Sequence, residues 1–132
     1  YMITLVRRAM MRIAERVAKN RGCGCIINGE DLGQVASQTL ESITVTNSVI
    51  RDLPVFRPLI GFDKNEIIEI SKKIGTYETS IKPYEDCCTV FLPESPATKP
   101  TIRRSEANEN KIENYAELID EAVDDAEVVV IS

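Results

Sequence analysis

The chain has 132 residues, is 43% apolar and 28% charged, and carries a formal net charge of −5. That balance is ordinary for a soluble globular domain, and a chain of this size buries roughly two thirds of its unfolded surface without staples. No run reaches the roughly 20 apolar residues of a membrane span and no signal-peptide pattern is present, so the expected compartment is the cytoplasm.

Residues 2–21 read as a helix. Met2, Val6, Ala9, Met10, Ile13 and Val17 recur at spacings of three and four, and they mark the face expected to be buried. Arg8, Arg12, Arg16 and Lys19 line another face at the same period. Gly22 and Gly24 end the helix. Residues 24–28 form a short strand apolar enough to be buried on both faces, with Cys23 and Cys25 as packing residues pointing opposite ways. A second helix is expected over 31–42 with Asp31 as its N-cap. The β-branched stretch 43–50 is open to two readings, a strand or a continuation of that helix. Residues 54–60, flanked by prolines, read as an extended segment or edge strand.

Residues 63–74 give the clearest helix. Asp63 and Glu66 form a capping box, Ile67, Ile68, Ile70 and Ile74 supply an apolar face, and Gly75 follows as the C′ residue. The stretch 76–100 holds four prolines and little periodicity, as in a long functional loop. An acidic helix is expected over 105–125 with Ile112, Tyr115, Ala116, Ile119 and Val123 as its buried stripe, followed by a strand over 127–131. Alternating helices and apolar strands define an α/β class with a mainly parallel sheet. Two or three strands are few for a self-sufficient sheet, and the chain begins at Tyr1 rather than Met. Both features read as part of something longer.

Charge is spread unevenly. Six basic residues against Glu15 give +5 over residues 1–21, and three basic against nine acidic residues give −6 over residues 102–132. Solvated helix faces account for this, or the first helix faces a polyanion. The acidic whole argues against nucleic-acid binding by this stretch alone.

Chemistry concentrates at three places. In Asn28 to Thr39 an apolar strand empties into a polar turn with Gly29, Gly33 and Gln38, where open α/β sheets place ligands. The glycines allow close backbone approach, Gln38 both donates and accepts, and Ser37 and Thr39 add hydroxyls. A tight connection without a ligand is the plain alternative. Arg7 or Arg8, on the helix before the strand, is suited to gripping a phosphate, or to lying on the surface. Cys87 and Cys88 lie in a polar, proline-bounded loop, behind Glu85 and Asp86. Those carboxylates raise a thiol's pKa, so a nucleophile here needs a cation from elsewhere or works as a persulfide. A buried structural pair is the alternative. Neither cysteine pair has C-x-x-C spacing and histidine is absent, so no metal site is expected.

Three segments then align with one family. NGEDLGQVASQTLES (28–42), RPLIGFDKNEII (57–68) and IGTYETSIKPYEDCCTVFLP (74–93) resemble the C-terminal part of the ATP-pyrophosphatase domain of the tRNA 4-thiouridine synthetase, or thiamine-biosynthesis sulfurtransferase, family. The likeness covers roughly residues 1–100, and residues 101–132 match loosely. It implies an adenine-nucleotide hydrolase-like, Rossmann-like three-layer fold. It implies that the whole of 1–132 is the C-terminal portion of the catalytic domain, and that ATP, with Mg2+, activates the C4 oxygen of a tRNA uridine. Persulfide sulfur then displaces AMP. By the same resemblance Arg7, Gly29 and Gln38 contact the nucleotide, Cys87 carries the sulfur and later enters a disulfide, and Asp86 orients its loop. Adjacent cysteines bridge only with strain, so Cys88 is not the expected resolving partner.

The family's SGGxDS phosphate loop, its THUMP domain and a rhodanese-like extension do not occur in this sequence. The stretch alone is therefore expected to be inactive. A cysteine desulfurase is the expected sulfur donor, tRNA the substrate, and thiazole synthesis for thiamine a linked use. The rival readings are an ATP pyrophosphatase acting on another tRNA position or a small carbonyl compound, and a non-catalytic module that only forms a homodimer.

Overall fold

The computed structural model describes residues 1–35, 38–84 and 99–132. Helix α1, Met2–Asn20, is the element around which the others gather. It closes as a Schellman turn: Gly22 N–H donates to Lys19 O (3.2 Å) and Cys23 N–H to Ala18 O (2.8 Å), with Gly22 at φ 71°. That conformation is cheap only for glycine, so the expected stop is real and local in origin.

Strand β1 is only Ile26–Ile27, shorter than the expected 24–28, and pairs in parallel with β2, Val55–Phe56. Ile26 stands opposite Val55, and Ile27 opposite Phe56. Between them, α2 spans Leu40–Asn47. The expectation of a helix from Asp31 fails. Asp31 is buried rather than capping, and the chain turns through residues 32–35 before Thr39 caps α2 by accepting from Ser42 N–H at 3.1 Å. The open choice over 43–50 resolves as helix up to Asn47. Thr44 and Thr46 return their hydroxyls to Leu40 O and Ser42 O, and Val45 and Val49 pack inward, so packing overrides β-propensity.

Helix α3, Lys64–Lys73, forms as expected. Asp63 accepts from Glu66 N–H (2.8 Å), Glu66 accepts from Asp63 N–H (3.2 Å), and Gly75 at φ 78° ends it. A single turn, α4 (Tyr77–Ser80), follows. The expected helix over 105–125 is two helices. α5 spans Ile102–Glu109 and α6 spans Tyr115–Asp124, broken before Asn114, a non-glycine residue at φ 61°. Asparagine tolerates that left-handed conformation better than most residues. Of the expected stripe only Ile119 is fully buried. Residues 127–131 are not a strand here. A β-branched run needs a partner to form a ladder, and Val128 to Ile131 meet none among the described residues.

The apolar core is small: Met11 and Ala18 of α1, Ile26, Val45, Val49 and Ile119. It lies where α1 meets α2, α6 and β1. The buried positions of α1 are Thr4, Arg8, Met11, Glu15 and Ala18, not the expected stripe, whose Met2 and Met10 are exposed. Two buried charges on that face lock α1 in place. Glu15 accepts backbone N–H bonds from Arg51, Asp52 and Leu53 at 3.0–3.3 Å. Arg8, 1% exposed, is bidentate to Glu109 (2.7 and 3.2 Å) and donates to Val45 O and Ser48 Oγ.

This network answers the question of the basic helix. Three of its arginines, Arg8, Arg12 and Arg16, pair with acids of the chain's C-terminal end. Glu109 also takes both Nη groups of Arg12 (2.7 and 3.1 Å), Arg16 pairs with Asp120, and Lys19 pairs with Asp52. The solvated-face reading holds for Arg16, Lys19 and Arg21, which are exposed, whereas Arg8 and Arg12 turn to Glu109. Among the described residues no helix is long and apolar enough to cross a membrane. The helix-rich architecture with its small parallel sheet is compatible with the α/β class.

Candidate functional site

Both strands end in polar residues at their carboxyl ends, the side of a parallel sheet where ligands bind. β1 runs directly into Asn28, Gly29, Glu30 and Asp31; β2 runs directly into Arg57. Asn28 folds the turn back on itself. Its Oδ1 accepts from Glu30 N–H (3.1 Å) and its Nδ2 donates to Glu30 Oε1 (2.6 Å). Leu32 N–H donates to Ile60 O (3.2 Å), which joins the turn to the segment after β2.

Arg7 reaches this turn from α1. Its Nη2 lies 2.9 Å from Glu30 Oε2, with the Arg7 side chain 18% exposed and that of Glu30 7% exposed. Arg57 approaches the same carboxylate, its Nε 3.6 Å from Glu30 Oε1, and donates through Nη2 to Asn47 Oδ1 (3.0 Å). Two guanidinium groups from different elements therefore share one buried carboxylate, with the buried Asp31 next to it, so two cations and two acids meet at the strand ends.

Gly29 stands beside this cluster, and a Cβ placed there would meet nothing within 4 Å. The same holds for the other five glycines, so Gly29 is uncrowded without being singled out. Gly33, at φ 80°, makes the turn that returns the chain, and its N–H donates to Gln38 O (2.9 Å). Gln38 thereby belongs to the same loop. Glu30 Oε2 faces Arg7 and Arg57 Nε faces Glu30 within the ion-pair network, whereas Asp31 Oδ2 and Gln38 Oε1 are buried with no hydrogen-bond partner among the described residues. Such atoms each cost about 1–3 kcal/mol if left so. Two of them in one strand-end loop make it a candidate place for a further hydrogen-bonding group.

Of the residues singled out from sequence, Arg7 and Gly29 are brought together through Glu30, and Gln38 is tied to their loop. Arg8, the alternative to Arg7, is committed to Glu109 and is no ligand contact. Ser37, Asp86, Cys87 and Cys88 lie outside the described residues. Cys25 is half-buried, but Cys23 is exposed in the turn after α1, so it does not pack as expected. Glu30, Asp31 and Arg57 were missed as site residues. An acid directly after the turn glycine and an arginine directly after the second strand are signals that could have found the first and last. Further along α1 an open groove of about 450 Å³ is lined by Arg12, Arg16 and Lys19, whose charges are already paired.

Parallel strands that deliver a shared cluster of paired charges and polar groups to one edge define an α/β protein with a candidate polar site at the strand ends. Comparison with known proteins is consistent with that class. The family described as "Thiamine biosynthesis protein (ThiI)" matches residues 1–114, and the chain belongs to it. A probable tRNA sulfurtransferase of Acetivibrio thermocellus is 56% identical over 128 residues, 97% of this chain and 32% of that protein. One of Moorella thermoacetica is 50% identical over 99% of this chain and 33% of that protein. A crystal structure of a 4-thiouridine synthetase–RNA complex with bound ATP superposes with a TM-score of 0.92 at 46% identity, over 100% of this chain and 34% of that one. The chain thus spans about a third of the length of the relatives it matches.

Proposed function

We propose that this chain is the C-terminal portion of the ATP-pyrophosphatase domain of a tRNA sulfurtransferase that makes 4-thiouridine. The observation that carries the reading is the strand-end cluster: Arg7 joined to the Gly29 turn through Glu30, and a buried, unpartnered Gln38 Oε1 in the same loop. These features fit a nucleotide. An amide oxygen suits an adenine amino group, an uncrowded glycine admits a flat base or a ribose, and an arginine suits a phosphate. The match to a 4-thiouridine synthetase crystallised with ATP and RNA supports the same assignment.

ATP, when bound, supplies the activation that turns a carbonyl oxygen into a leaving group. In this reading Arg7 holds negative charge, Gly29 allows the approach and Gln38 reads the base, on an adenine-nucleotide hydrolase-like frame. Mg2+ is part of the same reading, as the partner of the ATP phosphates. Cys87 carries the sulfane sulfur from a cysteine desulfurase and Asp86 orients its loop. The protein is cytoplasmic, and it also supplies sulfur for the thiamine thiazole. A homodimer is part of the same proposal.

The test is thiolation of tRNA by the full-length protein, followed by nucleoside mass spectrometry. Cys87→Ser is expected to abolish 4-thiouridine. Formation at the normal rate by Cys87→Ser, with loss in Cys88→Ser, moves the role to the neighbouring thiol. Normal rates in both variants overturn the sulfurtransferase reading.

A further inference from the structure

The Glu30 carboxylate ties three segments of the strand-end cluster together. It meets Arg7 of α1 at 2.9 Å, Asn28 of the post-β1 turn at 2.6 Å, and Arg57 of the post-β2 segment at 3.6 Å. It is 6% exposed, and it follows Gly29 directly. Without it, two guanidinium groups would lie close together in a poorly hydrated corner and repel one another. An acid beside a site meant for a triphosphate looks counterproductive, since its charge opposes that of the ligand. Its placement between two arginines resolves the contradiction.

We propose that Glu30 is a positioning residue: it holds Arg7 and Arg57 in the orientation that receives the nucleotide, so that their ordering is completed before binding. This rests on the ATP-site reading above. Preorganised side chains bind more tightly because less rotamer freedom is lost on association, and arginine has much to lose. Arg57, whose Nε faces Glu30 Oε1 at 3.6 Å, becomes the second cation of the site beside Arg7. Asn28 fixes the carboxylate from below through its paired hydrogen bonds, so the chain of control runs Asn28, Glu30, Arg7 and Arg57.

The sign of one measurement separates positioning from mere proximity. If Glu30 only added negative charge near the phosphates, Glu30→Gln would tighten ATP binding. If it positions the arginines, the same change weakens it. Isothermal titration of ATP into the full-length protein is the experiment, with thermal unfolding of the ligand-free variants alongside. We expect Glu30→Gln to raise the Kd for ATP about tenfold, the scale of one lost charge-assisted contact. Arg57→Ala is expected to raise it as well. In an Arg7→Ala background Glu30→Gln should add little, because both changes act on one interaction. A Kd for Glu30→Gln equal to or below that of the unaltered protein overturns the proposal, as does full additivity with Arg7→Ala. If Glu30→Gln unfolds, Asn28→Ala, which releases the same carboxylate, must weaken ATP binding, and unchanged affinity there also overturns it. An unaltered protein that does not bind ATP at millimolar concentration overturns the ATP-site reading itself, and this inference with it.

Discussion

Glu109 shows what a single buried acid does in this chain. Burial by itself would raise its pKa, but hydrogen bonds from Arg8 and Arg12, then their charges, hold the carboxyl below its ordinary value. Tyr115, beside Arg12 at 2.8 Å, is shifted upward by burial, which outweighs the nearby guanidinium, so its phenol stays protonated. Removing one partner of a buried pair strands the other, at about 3 kcal/mol or more. Glu109→Ala is therefore expected to lower stability by about 3 kcal/mol in urea unfolding, a large share of a domain's total. The pH dependence follows from the direction of the shift. A carboxyl with a depressed folded pKa contributes fully above its unfolded value, about 4.3. That contribution disappears as pH falls through the lower folded value. Glu109→Gln should lose this part of the acid sensitivity, visible as a flatter stability profile below about pH 4.5. None of this was legible locally, because Arg8 and Glu109 are 101 positions apart.

At the scale of elements, helix ends were legible and helix faces were not. The Asp63–Glu66 capping box and the glycines at φ 71° and 78° act over a few residues, so their spacing in the sequence is their geometry. Asp63→Ala should weaken α3 by about 1 kcal/mol. Since α3 has no fully buried residue, the loss should appear as faster hydrogen exchange at amides 64–67 more than as a lower unfolding temperature. Gly75→Ala forces a Cβ into the left-handed region and should cost about 1–2 kcal/mol in the same region. Misjudged faces have a different origin. The apolar stripe of α1 was read as core, yet Arg8 and Glu15 occupy the buried face, because α2, the post-α2 loop and α5 bring acceptors and donors to them. The start of α2 was misplaced for a related reason. Asp31 has N-cap chemistry, but it is buried beside Glu30 in the strand-end turn, and Thr39 takes the cap.

Across the whole molecule, apolar surface is left uncovered in a consistent pattern. One register pair of the sheet, Ile26 and Val55, is at least half-buried, whereas the next, Ile27 and Phe56, is 66% and 56% exposed. Parallel sheets are normally covered on both faces. Met2 and Met10 of α1 are likewise open, and Val128 to Ile131 are all exposed. The chain spans about a third of the length of its relatives, and the prediction is that further parts of a full-length protein cover these surfaces. The 132-residue chain alone is accordingly expected to bind a hydrophobic dye and to self-associate in sedimentation, and the full-length protein to do neither to the same degree. A monomeric chain with no dye binding would show that these faces need no cover.

What the sequence determined by itself was whatever depends on near neighbours. That includes the helix stops at Gly22 and Gly75, the capping box, the strand that empties into the Gly29 turn, and the motifs that carried the family resemblance. Torsional preference and short-range hydrogen bonding act within about five residues, so they are written where they act. Only the tertiary structure decided which charges face each other. It turned Arg8 from a candidate ligand contact into a structural anchor, turned the basic helix and the acidic tail into partners, and set Glu30 between Arg7 and Arg57. A charge is stable in a poorly hydrated place only beside its opposite, and in this fold that opposite usually comes from a distant part of the chain.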